Sequence, residues 1–353
     1  MNSDGPPPRG RGAATNPANR FELISYERDP DDPFEESPGP TTQFFRDSTR
    51  TILAHNDSPD VGFDTSINPY RGCEHGCSYC YARPFHEYLG LSAGLDFETK
   101  IFVKEDAPQL LRRELSSPKW QPRVIALSGV TDPYQPAERR FQLTRRCLEV
   151  LAEFRNPVGI VTKNGLVARD RDILGEMSRY RAAAVWLSIT SLDGELARRL
   201  EPRATHPAGR LTAVRALADA GVLVGVLTAP VIPGLNDHEL PAILKAAADA
   251  GAAYAGYIIL RLPYGVKEIF AEWLARHYPD RQEKVLGRLR EMHGGKLNDP
   301  RFGNRMRGEG EMAAQIEALF AAGCRRTGLS RKSLGLSAAE FRPAGGKQTL
   351  LFE

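Results

Sequence analysis

From about Ser66 onward, short β-branched runs alternate with longer stretches of helical periodicity, and few folds accommodate that alternation other than βα units around a parallel sheet. Strands are expected at Ser66–Tyr70, Val124–Ser128, Val158–Thr162, Val185–Thr190, Leu223–Thr228 and Tyr254–Leu260. Between them, apolar residues recur at helical spacing, as in Cys147, Leu148, Leu151 and Phe154, or Ile173, Leu174 and Met177. The same spacing marks Leu211, Val214 and Leu217, and then Ile243, Leu244 and Ala247. Gly221 and Gly251 fall where helices end, and Asp106 precedes Pro108 where one begins. Six such repeats predict an α/β protein whose core is a partial six-stranded parallel (βα)6 barrel.

At 353 residues with 41% apolar content, the chain can bury one large core with a small annex. Residues 1–60 carry a triple proline, scattered Gly, Ser and Asp and little periodic hydrophobicity, so a disordered or extended N-terminal tail is expected there. The barrel is expected over 61–262 and a helical, basic C-terminal extension over 263–333, followed by a tail over 334–353. Two helices are read in the extension, one through Val285, Leu286, Leu289 and Met292, the other through Met312, Ile316, Leu319 and Phe320. The longest apolar stretch, Val222 to Ile232, is broken by Gly225 and Pro230, so no membrane span is expected. Without an apolar secretory core at the N-terminus, the expected location is the cytoplasm.

Five cysteines, three of them crowded into Cys73-Glu-His-Gly-Cys77-Ser-Tyr-Cys80, suit a metal site better than a disulfide framework. A cubane iron–sulfur cluster is normally held by four thiolates, one per iron, so three thiolates from one tight loop leave one iron open to a substrate. A zinc site of three Cys and one His, with His75 or His86 as fourth ligand, is the alternative. Zinc sites usually draw their ligands as two separated pairs, and a second pair is missing here.

This loop, with an aromatic before its third cysteine, resembles the motif of the radical S-adenosylmethionine superfamily. The strings Ile67-Asn-Pro-Tyr-Arg-Gly-Cys73, Cys80-Tyr-Ala-Arg83, Thr131-Asp-Pro-Tyr134 and Thr162-Lys163 are similar to the branch related to spore photoproduct lyase. The resemblance implies a lyase-like enzyme in which Cys73, Cys77 and Cys80 hold a 4Fe-4S cluster. Its open iron would chelate S-adenosylmethionine, and the sulfonium would be cleaved to a 5′-deoxyadenosyl radical. It also implies an external electron donor such as flavodoxin or ferredoxin.

In barrels of parallel strands the reactive groups sit at the C-terminal strand ends. By resemblance, Tyr79 lies against the adenine, while Thr131 and Asp132 stand where many family members place a Gly-Gly-Glu element for the methionine amino group. The alternative is a simple turn closed by Asp132-Pro133. Lys163, a cation at a strand end, can pair with a carboxylate, and the resemblance makes that the methionine carboxylate. The hydroxyls of Ser188 and Thr190 suit the ribose or carboxylate, and Ile232 and Asn236 fall where the family frames the adenine. Asn236 or Asp237 read alone is also an N-cap. A surface salt bridge is the expectation for Glu201, Arg203 and Arg210, and a structural role for His86 beside Arg83. Cys147 reads as core packing. Cys324, beside Arg325 and Arg326, reads as a thiol of lowered pKa. Spore photoproduct lyase uses a cysteine as hydrogen donor, none is clearly placed for that here, and no catalytic residue is assigned.

The formal charge of +3 is small, but from Arg261 onward 17 Lys and Arg face 11 Asp and Glu. Gly294–Gly310 combines Arg301, Arg305 and Arg307 with Phe302, a pattern that suits clamping phosphates and stacking a base. Read blandly, the segment is a solvated basic loop against acidic helices of the barrel. Nucleic acid is the expected substrate chiefly because the resemblance to the photoproduct-lyase branch implies it, with a peptide or small metabolite as the alternative. A non-catalytic iron–sulfur redox protein is the reading from another class. The terminal Gln348-Thr-Leu-Leu-Phe352 resembles peptides that dock into the bacterial sliding clamp, or is a tail packing on its own barrel.

Overall fold

The computed structural model describes residues 8–21, 41–332 and 335–343. Ten strands follow in chain order: β1 (Gln43–Arg46), β2 (Leu53–His55), β3 (Thr65–Ile67), β4 (Tyr70–Arg71) and β5 (Lys100–Val103), then β6 (Ile125–Leu127), β7 (Val158–Thr162), β8 (Ala183–Ser188), β9 (Leu223–Val231) and β10 (Tyr254–Ile259). The main sheet has the order β10-β9-β8-β7-β6-β3-β2. From β3 to β10 every neighbour is parallel, and only β2 pairs antiparallel, on β3. Six parallel strands in sequence order are what the βα alternation predicts. The expected strand at Val185–Thr190 instead occupies Ala183–Ser188, which leaves Thr190 in the loop beyond the strand end.

The sheet is covered by helices whose apolar faces meet it. Leu148, Leu151, Leu174, Val214, Leu217 and Leu244 share one core with Ile160, Val185, Leu187, Val224 and Val226. Strand β8 is apolar nearly throughout, as a parallel strand buried on both faces must be. The helix Gly310–Thr327 contributes Ile316, Phe320 and Cys324 to this same core, so the C-terminal extension packs as part of the sheet's cover. A helix the sequence reading missed, Val266–His277, joins Gln282–Met292 in a second apolar cluster built on Phe270, Trp273, Leu274 and Leu289.

The N-terminal tail departs from expectation. Strand β1 pairs parallel with β5, which also pairs with β4, making a three-stranded sheet of its own. The Ile52 amide, leading into β2, is held by the Glu114 carboxylate at 2.8 Å. Residues 8–21 lie against the segment that follows the cysteines. These stretches have too little local periodicity to announce themselves, because their hydrogen-bond partners come from distant parts of the chain. No helix among the described residues is long and apolar enough to cross a membrane.

Candidate active site

The cysteine loop leaves β4 at the C-terminal end of the sheet. Gly72 and Gly76 take positive φ of +79° and +66°, a region L-residues seldom adopt, and the chain turns tightly there. Cys73 and Cys77 are buried and Cys80 half-buried. The Cys73 amide donates to the Phe97 carbonyl at 2.9 Å, and the Arg83 guanidinium donates twice to the Cys77 carbonyl, at 2.9 and 2.8 Å. Burial pushes the Cys77 and Cys80 thiols up, and mutual repulsion among the three cysteines adds to it. Thiols so placed ionise when a metal supplies positive charge.

Of the two histidines that could complete a zinc site, His75 lies against both Cys73 and Asp132, whereas His86 packs among aromatic rings. The His75 ring pairs with Asp132 at 3.3 Å on one nitrogen and contacts the Asn164 amide nitrogen at 3.1 Å on the other. His86 is buried edge-on to Phe97 and Phe102, its Nε2 has no hydrogen-bond partner, and burial lowers it to about 4. It is a packed ring rather than a fully satisfied one. Among the described residues no three His, Cys, Asp or Glu converge on a point suited to one ion. A cluster does not ask for that, since each thiolate binds a different iron.

Beside the loop, the end of β6 and the turn after it act as its anchor. Thr131 Oγ1 donates to the Gly72 carbonyl at 2.7 Å, and Gln135 Nε2 donates to the same oxygen at 3.1 Å. The Glu74 amide donates back to Gln135 Oε1 at 2.9 Å. Asp132 accepts from Thr162 Oγ1 at 2.7 Å and from the Lys163 amide at 2.8 Å, besides its pairing with His75. Burial alone would raise Asp132, but His75 and these donors hold it at about 2. Thr131 and Asp132 thus spend their hydrogen bonds on tying loop, β6 and β7 together. Gln135 was not singled out from sequence, although it directly follows the Thr131–Tyr134 string.

Across the mouth, Tyr79 is buried with its hydroxyl donating to Glu201, which pairs with Arg210. Thr190 Oγ1 donates to Glu201 at 2.6 Å, and Arg210 donates to the Ser188 carbonyl at 2.9 Å. Burial would raise Glu201, but Arg210 and Lys163 bring it below the usual carboxylate range. The expected surface salt bridge at Glu201 and Arg210 is therefore a buried pair bonded to the aromatic of the cysteine motif. Arg203 alone behaves as expected, half-exposed and 3.1 Å from Glu74.

Lys163 Nζ lies 5.9 Å from the Tyr79 ring centroid and donates to Ser188 Oγ at 3.2 Å. No described carboxylate forms an ion pair with it. Ile232 packs in one apolar cluster with Cys77 and Tyr79. The Asn236 carboxamide accepts from the Ile232 amide at 2.6 Å and donates to the Thr190 and Pro230 carbonyls at 2.7 and 3.1 Å. It clips the ends of β8 and β9 together, and although Asn236 stands at the N-cap position of the turn Asp237–Glu239, its side chain makes no capping hydrogen bond.

Elsewhere the structure revises the reading of the basic loop. Arg301 pairs with Asp299 at 2.6 Å and Glu309 at 3.0 Å, Arg305 pairs with Asp60, and Arg307 lies 3.9 Å from Glu317 with its guanidinium over the Tyr257 ring. These arginines answer carboxylates of their own chain; Phe302 is exposed. Cys147 is core, as expected. Cys324 is buried in the same core, and burial raises its thiol, against the lowered pKa expected from Arg325 and Arg326. Gln348–Phe352 lies outside the described residues.

Three cysteines gathered where parallel strands end define an α/β protein with a candidate thiol site at the mouth of its sheet. More narrowly, the chain belongs to the Radical SAM superfamily, whose family model matches residues 67–247. An uncharacterized protein of Mycobacterium tuberculosis is 37% identical over 233 residues, covering 65% of this chain and 67% of the relative. One from Methanocaldococcus jannaschii is 32% identical over 173 residues, covering 49% and 62%. Among solved structures, a spore photoproduct lyase with one cysteine replaced by serine matches with TM-score 0.57 at 18% identity, covering 81% of this chain and 80% of that one. The lyase complexed with dinucleoside spore photoproduct matches with TM-score 0.58 at 17% identity over the same shares. At these identities the likeness is one of fold.

Proposed function

We propose that Cys73, Cys77 and Cys80 hold a 4Fe-4S cluster and that S-adenosylmethionine binds above it, between Tyr79, Lys163, Ser188 and Ile232, within the partial barrel. The observation that carries this reading is the unpaired Lys163 ammonium, set beside the Tyr79 ring with only a hydroxyl partner. When bound, the reduced cluster supplies the electron that cleaves the sulfonium to a 5′-deoxyadenosyl radical. The chain's own residues bind and orient. Lys163 would take the methionine carboxylate by a charge-assisted hydrogen bond, and Tyr79, fixed through Glu201, would flank the adenine. Asp132 and Thr131, already committed to the loop, hold its position instead of touching the cofactor. The enzyme would work in the reducing cytoplasm with flavodoxin or ferredoxin as electron donor.

For the substrate we favour a nucleic-acid component, in a lyase-like repair or modification. Support comes from the motif strings shared with the photoproduct-lyase branch, and from a fold shared with a lyase whose structure holds a dinucleoside photoproduct. The self-paired arginines of the 294–310 loop favour a second reading, a peptide or small metabolite, since they remove the most obvious phosphate clamp. Turnover of S-adenosylmethionine in the presence of single-stranded oligonucleotides or of peptides separates the two. Stimulation by oligonucleotides alone supports the first, and stimulation by peptides alone overturns it.

A further inference from the structure

The expected tail contains a segment that reaches the cysteine loop. Residues 8–21 run along its outer side, and their contacts are directional and buried. The amides of Gly12 and Ala13 donate to the two Glu98 carboxylate oxygens at 3.1 and 2.8 Å. Arg11 donates to the Glu98 carbonyl at 2.9 Å and to Thr42 Oγ1 at 3.1 Å. Glu98 is fully buried, and its carboxylate also receives Arg83 at 2.5 Å, the same guanidinium that grips the Cys77 carbonyl. Further on, the Leu95 amide donates to the Thr15 carbonyl, Ser92 Oγ to the Pro17 carbonyl, and Arg20 pairs with Glu87 at 2.6 Å.

The approach to the loop is close enough to dictate a residue. A Cβ on Gly12 would lie 1.7 Å from the Gly76 carbonyl oxygen and 3.0 Å from the Ser78 amide nitrogen, so only glycine fits between Arg11 and Ala13. Without this segment Glu98 keeps Arg83 but loses two amide donors, and the Gly76–Ser78 edge on either side of the second cysteine opens to water. A buried carboxylate stripped of donors is costly, and the Arg83 grip on Cys77 depends on it.

Resting on the cluster reading above, we infer that residues 8–21 are a strap belonging to the metal site. Gly12 and Glu98 are positioning residues that set the Cys73–Cys80 loop and shield the outer side of a bound cluster from oxidants. Partners behind the ligands typically govern metal retention by about 10- to 100-fold, and the strap supplies such partners from the far end of the chain.

The test uses the full chain reconstituted anaerobically with iron and sulfide, as wild type, Gly12→Val, Glu98→Gln and Asp60→Asn. Iron per chain and the decay of cluster absorbance in air are read, with the melting temperature of the metal-free protein alongside. Gly12→Val and Glu98→Gln are expected to bleach at least about tenfold faster and to alter the paramagnetic resonance spectrum of the reduced cluster. Asp60→Asn, which loosens the Arg305 tie away from the loop, should lower melting without changing bleaching. Glu98→Gln keeps the size of its side chain, so it serves even if Gly12→Val misfolds. Wild-type bleaching and spectra in both strap variants would overturn the strap. A wild-type protein that takes up no iron would overturn the cluster reading itself.

Discussion

Among the described residues Lys163 is a half-buried cation of the mouth with no carboxylate in ion-pair range, set beside the Tyr79 ring, and this makes it a clear residue-scale test of cofactor binding. Lys163→Ala is expected to weaken S-adenosylmethionine binding by about 1.5 to 3 kcal/mol, roughly ten- to hundredfold by calorimetry. Iron content should stay at the wild-type level; unchanged affinity would remove Lys163 from the site. Glu201→Gln acts differently, because it leaves the fully buried Arg210 without its counter-charge, and it should cost about 3 to 5 kcal/mol in urea unfolding. A loss below about 1 kcal/mol would mean that the pair is solvated, as surface pairs are. That the cysteines, Tyr79 and Lys163 lie near one another was legible in the sequence, the cysteines from their spacing, Lys163 from its place at a strand end and Tyr79 from the family resemblance. The Glu201–Arg210 pair and Gln135 were not, since their burial arises only where separate loops converge.

At the scale of elements, β7 was read to the residue and the other parallel strands to within a few, since alternation of β-branched and helical runs is a local signal. Strands β1 and β2 escaped because a strand of three or four residues stabilised by a remote partner has no period to detect. The helix Val266–His277 carried helical spacing in Ile269, Phe270, Trp273 and Leu274, and the signal was present but unread. The C-terminal helix gives this scale its prediction. Phe320 is buried against Tyr257 of β10, with ring centroids 4.7 Å apart, so Phe320→Ala should cost about 3 to 5 kcal/mol. It should do so within a single unfolding transition shared with the main sheet. A separate early transition would show that the extension is an independent unit.

On the scale of the whole molecule, charge that looked like a nucleic-acid surface proves largely internal. Arg301, Arg305 and Arg307 are answered by Asp299, Asp60, Glu309 and Glu317, which brings the 294–310 loop back onto the N-terminal and C-terminal segments. Replacing all three with alanine should leave the salt dependence of oligonucleotide binding unchanged. If they were the phosphate contacts, the log–log slope for a single strand would fall by about two. The net charge of +3 thus describes solubility and says little about partners. What unites the molecule is the convergence of the cysteine loop and the ends of β6 to β9 on one mouth, with residues 8–21 along the loop's outer side. The central claim is that this mouth generates a radical from S-adenosylmethionine. Its most direct test is the formation of 5′-deoxyadenosine by anaerobically reconstituted, chemically reduced protein. The account predicts the product with wild-type protein and its loss with Cys77→Ser; a reduced, cluster-loaded protein that binds S-adenosylmethionine and makes none would contradict it.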